Sequence, residues 1–264
     1  VGAFDEAAFA EELRDSPDEA LAMVADMATA TDPKLRDLAR ALAARLVVEL
    51  ARRGCPAGRG IGTLTSAPLG ADGDLDVDAS VDELVLPAAI RDPSRLRVRT
   101  WKRPSTAWCL VVDRSGSMGG GPLAAAALAA ACVAVREPRR YAVIAFSGRE
   151  RVIKPMGEHR ATESVVEELL SLRGHGTTDL AAALAAARRE LDAAGATRSV
   201  TVLLSDCRHT GESDPTAVAS GELVVMAPAA DDEEARGFAA RVGARIVTID
   251  GPSSIPAAFA AAFD

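Results

Sequence analysis

The sequence predicts an α/β protein: a doubly wound, mostly parallel sheet flanked by helices and preceded by a small helical module. Two observations carry this. From about residue 104, runs that are apolar throughout alternate with helical segments, as expected for strands buried on both faces and joined by crossover helices. Before that point, helical spacing gives way to a Gly- and Pro-rich stretch. Hydrophobic residues make up 48% of the 264 but aromatics only 3%, so the core must rest on closely packed Ala, Val and Leu.

In chain order, helical spacing covers 4–14, 17–29 and 33–53. In the third segment Leu35, Leu38, Leu42, Leu46 and Leu50 recur at three or four residues and make one apolar stripe. Asp32 followed by Pro33 reads as a cap and first turn, and Gly54 as the stop. Residues 54–103 read as a linker and extended segment. Within it, Asp72–Glu83 holds six carboxylates, and Arg91–Arg103 holds six basic residues and one acidic. Arg95, Arg97 and Arg99 alternate with Leu96, Val98 and Thr100, the pattern of a strand with one solvated face. Pairing between these acidic and basic stretches competes with a binding surface.

Strands then follow at 107–112, 141–146, 199–204, 222–227 and 245–249. A short one at 151–154 pairs with 141–146 as a hairpin. Helices lie at 122–136, 161–172, 179–194, 231–242 and about 253–263. Three regions result: a helical module over 1–53, the linker over 54–103, and the α/β domain over 104–264.

Charge and composition exclude several function classes. Net charge is −8, with 18 acidic and 14 basic residues before residue 104 and 20 and 16 after it. No basic face dominates, which argues against nucleic acid. Cys55, Cys109, Cys132 and Cys207 form no paired motif, which favours a reducing compartment. The longest apolar run, Leu123–Val135, has 13 residues, short of the roughly 20 that span a bilayer. No basic-then-apolar signal pattern opens the chain. A cytoplasmic protein without a membrane span is expected.

The chemistry concentrates at Asp113-Arg114-Ser115-Gly116-Ser117. A buried strand ends on a carboxylate, with two hydroxyls at alternate residues behind it. Such hard oxygen donors suit Mg²⁺ or Mn²⁺ better than softer metals. The end of a parallel strand is also where ligands bind in doubly wound sheets. Two further segments share this context. Gly174-His175-Gly176-Thr177-Thr178-Asp179-Leu180 precedes an Ala-rich helix, and Leu203-Leu204-Ser205-Asp206 ends another strand.

Together these three segments resemble the metal-ion-dependent adhesion site of von Willebrand factor type A domains: Asp-x-Ser-x-Ser, a distant Thr, and an Asp at a later strand end. The resemblance covers roughly 104–264 and implies a Rossmann-like fold. It implies that Asp113, Ser115, Ser117, Thr178 and Asp206 contact Mg²⁺ (or Mn²⁺) directly or through water. The sixth position is then left for an Asp or Glu carboxylate of a protein partner. Thr177 is the alternative to Thr178, and Asp179 reads as a helix cap. Cys207 departs from the family, which often has Gly there.

Other readings of single segments are weaker. Cys207 and His209 beside the site raise zinc, but lack a third soft ligand. Residues 72–83 count like a Ca²⁺ loop, yet Val77 stands where that loop needs Gly. They read instead as an extended segment and a helix capped by Asp78 or Ser80. His159, His175 and His209 lie in no catalytic motif, and no phosphate-binding P-loop occurs. A non-enzymatic binding role is expected.

The Gly73-Asp74-Leu75-Asp76 stretch upstream of the domain resembles bacterial CoxE-type proteins. That likeness implies a MoxR-type AAA+ ATPase as partner, with this chain as adaptor. A chelatase-type subunit and an adhesion or scaffold module are the alternatives.

Overall fold

The computed structural model describes residues 6–28, 33–55, 62–102, 105–114, 120–173, 176–219 and 221–263. It divides into two compact units, one formed by 1–58 with 106–264 and the other by 59–105.

The larger unit begins with three helices, α1 (Glu6–Asp15), α2 (Pro17–Met27) and α3 (Pro33–Gly54). Asp32, the expected cap of α3, lies outside the described residues. The leucine stripe expected on α3 is not its buried face. Leu38 is 70% exposed, Leu42, Leu46 and Leu50 are only partly buried, and the side chain of Leu35 is outside the described set. Ala39, Ala43, Ala44, Val47, Val48 and Ala51 are buried instead. The physical reason is close approach, because small side chains let α3 pack tightly on its neighbours while the longer leucines flank the contact.

The smaller unit holds β1 (Thr63–Pro68), β2 (Asp74–Leu75), α4 (Val77–Leu84) and β3 (Arg97–Lys102). Its strands form an antiparallel sheet in the order β1-β3-β2. The cap of α4 is neither Asp78 nor Ser80. Asp76 takes that role, accepting from the Ala79 N–H at 3.2 Å. Ser80 faces β3, where its Oγ accepts from the Arg97 N–H at 2.9 Å.

The larger unit resumes with β4 (Thr106–Asp113), α5 (Gly120–Arg136), β5 (Tyr141–Phe146), β6 (Glu150–Lys154) and α6 (Thr162–Leu170). It continues with α7 (Leu180–Ala193), β7 (Arg198–Leu204), β8 (Glu222–Pro228), α8 (Glu233–Val242), β9 (Arg245–Ile249) and α9 (Ile255–Phe263). A 3-10 turn, Pro252–Ser254, leads into α9. The six strands run in the order β6-β5-β4-β7-β8-β9, parallel throughout except for β6 against β5. The strands, their order and the flanking helices form the doubly wound sheet that the apolar runs predict.

Alternation along β4 separates two cores. Trp108, Leu110 and Val112 face a cluster with α2, α3, α5, α6 and α9, whereas Ala107, Cys109 and Val111 face α7 and α8. Of the 17 residues of α5, 13 are buried. A helix apolar all round must be covered all round. The sheet covers one side of α5, and α2, α3, α6 and α9 cover the others. This explains the longest apolar run in the chain. Trp108 meets Phe263 of α9 edge-to-face, with ring centroids 4.6 Å apart, and the Arg136 guanidinium lies 5.7 Å from the Trp108 ring. Among the described residues, no helix is long and apolar enough to cross a membrane.

Candidate metal centre

The site is built at the carboxyl ends of β4 and β7, which are neighbours in parallel register, with Val112 opposite Leu204. The next residue of β4 is Asp113, and β7 runs out into Ser205 and Asp206. Both chains therefore deliver a carboxylate to the same edge of the sheet. Asp113 is 8% exposed. The Ser205 hydroxyl donates to Asp113 Oδ2 at 2.6 Å and its Oγ accepts from the Cys207 N–H at 2.9 Å. A short charge-assisted bond of this kind fixes the carboxylate's orientation. Asp206 Oδ1 accepts from the Arg208 N–H at 2.9 Å.

That chain of bonds requires a sharp turn after Asp206. Cys207 makes it with φ of 61°, the left-handed region that Gly occupies without a steric penalty. The resemblance leads one to expect Gly at this position, and the cysteine here adopts the left-handed conformation that Gly takes most easily. Its side chain is buried, and burial first, then the charges of Asp206 and Asp113, push the thiol up to about 12.

Thr178 is buried on the loop before α7. Its N–H donates to Thr210 Oγ1 at 2.8 Å and its carbonyl accepts from the Thr210 N–H at 3.0 Å. The loop carrying Asp206 is thereby stitched to the loop carrying Thr178. The Thr178 hydroxyl makes no hydrogen bond among the described residues. Thr177 is exposed and lies against Gly148. Asp179 caps α7, accepting from the Ala182 N–H at 3.0 Å. Ser115 and Ser117 lie outside the described residues, as does His175.

Asp113, Ser205 and Asp206 line one cleft of about 280 Å³, together with Pro122 of α5, Ile249 of β9 and Pro252. Two carboxylates with a hydroxyl fit a small, hard divalent cation better than a soft one. Among the described residues no three His, Cys, Asp or Glu side chains cluster as a metal group. Zinc at Cys207 and His209 finds no support in the geometry. His209 Nδ1 accepts from the Leu180 N–H at 3.2 Å, so Nε2 carries the proton and donates to the Ser213 carbonyl at 2.7 Å. Both ring nitrogens are occupied.

The Ca²⁺ reading of 72–83 also loses its ligands to the chain itself. Asp76 and Asp78 pair with Arg99 at 3.2 and 2.7 Å, and Glu83 accepts from the Asp92 N–H. Arg91 donates to the carbonyls of Glu83, Leu84 and Leu86 at the end of α4. The acidic and basic stretches serve each other.

Ser205 and Thr210 were not visible as site residues in the sequence. A hydroxyl beside a strand-end carboxylate was the available signal for Ser205; Thr210, 32 residues from Thr178, had none.

A family model described as the von Willebrand factor type A domain matches residues 109–209. Proximal thread matrix protein 1 from the mussel byssus aligns with 61% of this chain and 48% of its own, at 13% identity and a TM-score of 0.50. A von Willebrand factor type A protein from Catenulispora acidiphila aligns with 61% of this chain and 42% of its own, at 19% identity and a TM-score of 0.48. A form of the mussel protein described as having a zinc-occupied MIDAS motif aligns with 61% of this chain and 48% of its own, at 13% identity and a TM-score of 0.47. The chain spans less than half the length of these structures. No curated protein gives a significant match. At such identities the likeness speaks for the fold alone.

Proposed function

We propose that residues 104–264 act as a von Willebrand A domain that binds a protein partner through a divalent cation and catalyses no reaction. The observation that carries this is the pair of strand-end carboxylates, Asp113 and Asp206, lining one cleft with Ser205 bonded to Asp113. Asp113, Ser115, Ser117, Thr178 and Asp206 would hold Mg²⁺ or Mn²⁺, directly or through water. A cation so held supplies an open coordination position for an Asp or Glu carboxylate of the partner. The chain's own residues supply the positioning: Ser205 orients Asp113, and Thr210 ties Thr178 to the Asp206 loop. The hydroxyl ligands are neutral and Asp113 with Asp206 formally balances a divalent ion, so a partner's carboxylate would be held by coordination at that position rather than by excess charge.

The resemblance of Gly73-Asp74-Leu75-Asp76 to CoxE-type proteins supports a MoxR-type AAA+ ATPase as that partner, in the cytoplasm of a bacterium, with this chain as its adaptor. Calorimetric titration with Mg²⁺ and Mn²⁺ tests the site. Saturable binding by the native chain and none by Asp113→Ala is expected; identical traces would sink the proposal. A pull-down with and without EDTA tests the partner. Recovery of an AAA+ ATPase only with metal present is expected, and recovery insensitive to EDTA counts against the adaptor role.

A further inference from the structure

Two walls of the cleft beside Asp113 and Asp206 are short backbone segments: the start of α5, at Gly121 and Pro122, and the turn after β9, at Gly251 and Pro252. Both are held by one helix. Asp26 of α2 accepts from the Gly120 N–H at 2.7 Å, and Asp18 of α2 accepts from the Ser253 N–H at 2.7 Å. Gly120 has φ of 42°, and a methyl group there would lie 3.3 Å from the Asp26 carboxylate. A methyl group on Gly251 would collide with the Asp18 carboxylate. Both contacts are thus close approaches of a carboxylate to glycine backbone.

The spacing of the two carboxylates is the telling feature. Residues eight apart on an α-helix share a face and stand about 12 Å apart along the axis. α2 is anchored between them by buried Ala20, Leu21, Val24 and Ala25, so that separation is rigid. Asp26 also supplies negative charge at the N-terminus of α5, where the helix dipole and its unsatisfied N–H groups favour it.

We infer that α2 is a brace that sets the separation of the two cleft walls: Asp26 and Asp18 are positioning residues for the candidate metal site. This inference deepens the proposed function and rests on it for its metal readout.

The test uses the complete chain with Asp26→Leu, Asp18→Leu, Asp26→Asn and Asp18→Asn. Asn keeps an acceptor oxygen and caps about as well as Asp, whereas losing a cap weakens it by roughly fivefold in equilibrium terms. Amide hydrogen exchange in EDTA is measured at Gly120 and Ser253. Exchange about fivefold faster at Gly120 in Asp26→Leu and at Ser253 in Asp18→Leu is expected, with both Asn variants within about twofold of native. Mg²⁺ titration should show Asp26→Leu binding about fivefold more weakly and Asp26→Asn near native. Native exchange and native affinity in both Leu variants overturn the brace, as does an Asn variant as impaired as its Leu counterpart. If a Leu variant fails to fold, Gly120→Ala applies the same displacement from the other side of the contact. Should the native chain bind no metal, the metal reading falls, and the exchange data in EDTA still decide the brace.

Discussion

Ser205 governs Asp113 through one buried bond of 2.6 Å, and the effect of deleting it can be stated. Partners that orient metal ligands cost about 10–100-fold in metal affinity when removed. Ser205→Ala is expected to weaken Mg²⁺ binding by about that factor in calorimetry, and Ser205→Thr to restore it, with the fold intact by circular dichroism. The neighbouring Cys207 illustrates strain held for a purpose. Its left-handed turn lets its N–H close on Ser205. All four cysteines are buried, and burial holds the Cys207 thiol up to about 12. None should react with Ellman's reagent at pH 8 until denaturant is added; a fast-reacting thiol in the native protein contradicts this. At this scale the sequence showed its strand-end carboxylates, because apolar runs that end on Asp have a recognisable position. It offered Ser205 only as a hydroxyl beside a strand-end carboxylate and Thr210 not at all, because hydrogen bonds across 92 and 32 residues leave no local spacing.

At the scale of elements, strands and helices were legible almost to the residue wherever the apolar period was clean. Which face of a helix is covered was not. On α3 the leucines looked like the buried stripe, yet the alanines and valines hold that place, since the periodicity does not say how many neighbours a helix has. Leu38→Ala is therefore expected to change stability by less than about 0.5 kcal/mol. Val47→Ala, which deletes buried methyl groups, should cost about 1.5–3 kcal/mol in urea denaturation. The opposite change in α5 is also costly. Ala127→Leu has no space to enter and should cost about 1–3 kcal/mol.

Helix caps in the smaller unit give a pH dependence. The Ala79 N–H, first among several causes, holds the Asp76 carboxyl below its usual 3.8, and the Ser94 hydroxyl and N–H do the same for Asp92. A depressed carboxyl contributes stability that is present above 3.8 and lost as pH falls through the lower folded value. Amide protection in 59–105 should accordingly fall off below that pH, and Asp76→Ala should flatten the fall.

For the whole molecule, the decisive feature is that α5 lies inside a larger core than an α/β domain needs. In a flanked sheet an outer helix normally shows one polar face to water. Here α2 and α3 take water's place over a surface of Ala, Leu, Cys and Val. A chain of 106–264 without 1–58 should expose that surface, and is expected to bind the dye ANS and self-associate in size-exclusion chromatography. A monodisperse, well-protected fragment would show that the N-terminal helices are dispensable. The sequence announced this only as an unexplained length of apolar residues, 123–135, because a single chain segment cannot name what covers it. The packing of Trp108 against Phe263 has a use of its own. The chain has two tryptophans, and Trp101 is 71% exposed while Trp108 is 4% exposed. With Trp101→Phe, the remaining indole stands between the strand that ends at Asp113 and the last turn of α9. Its fluorescence then becomes an optical gauge of the C-terminal helix, blue while Phe263 is seated and red-shifted when water replaces it.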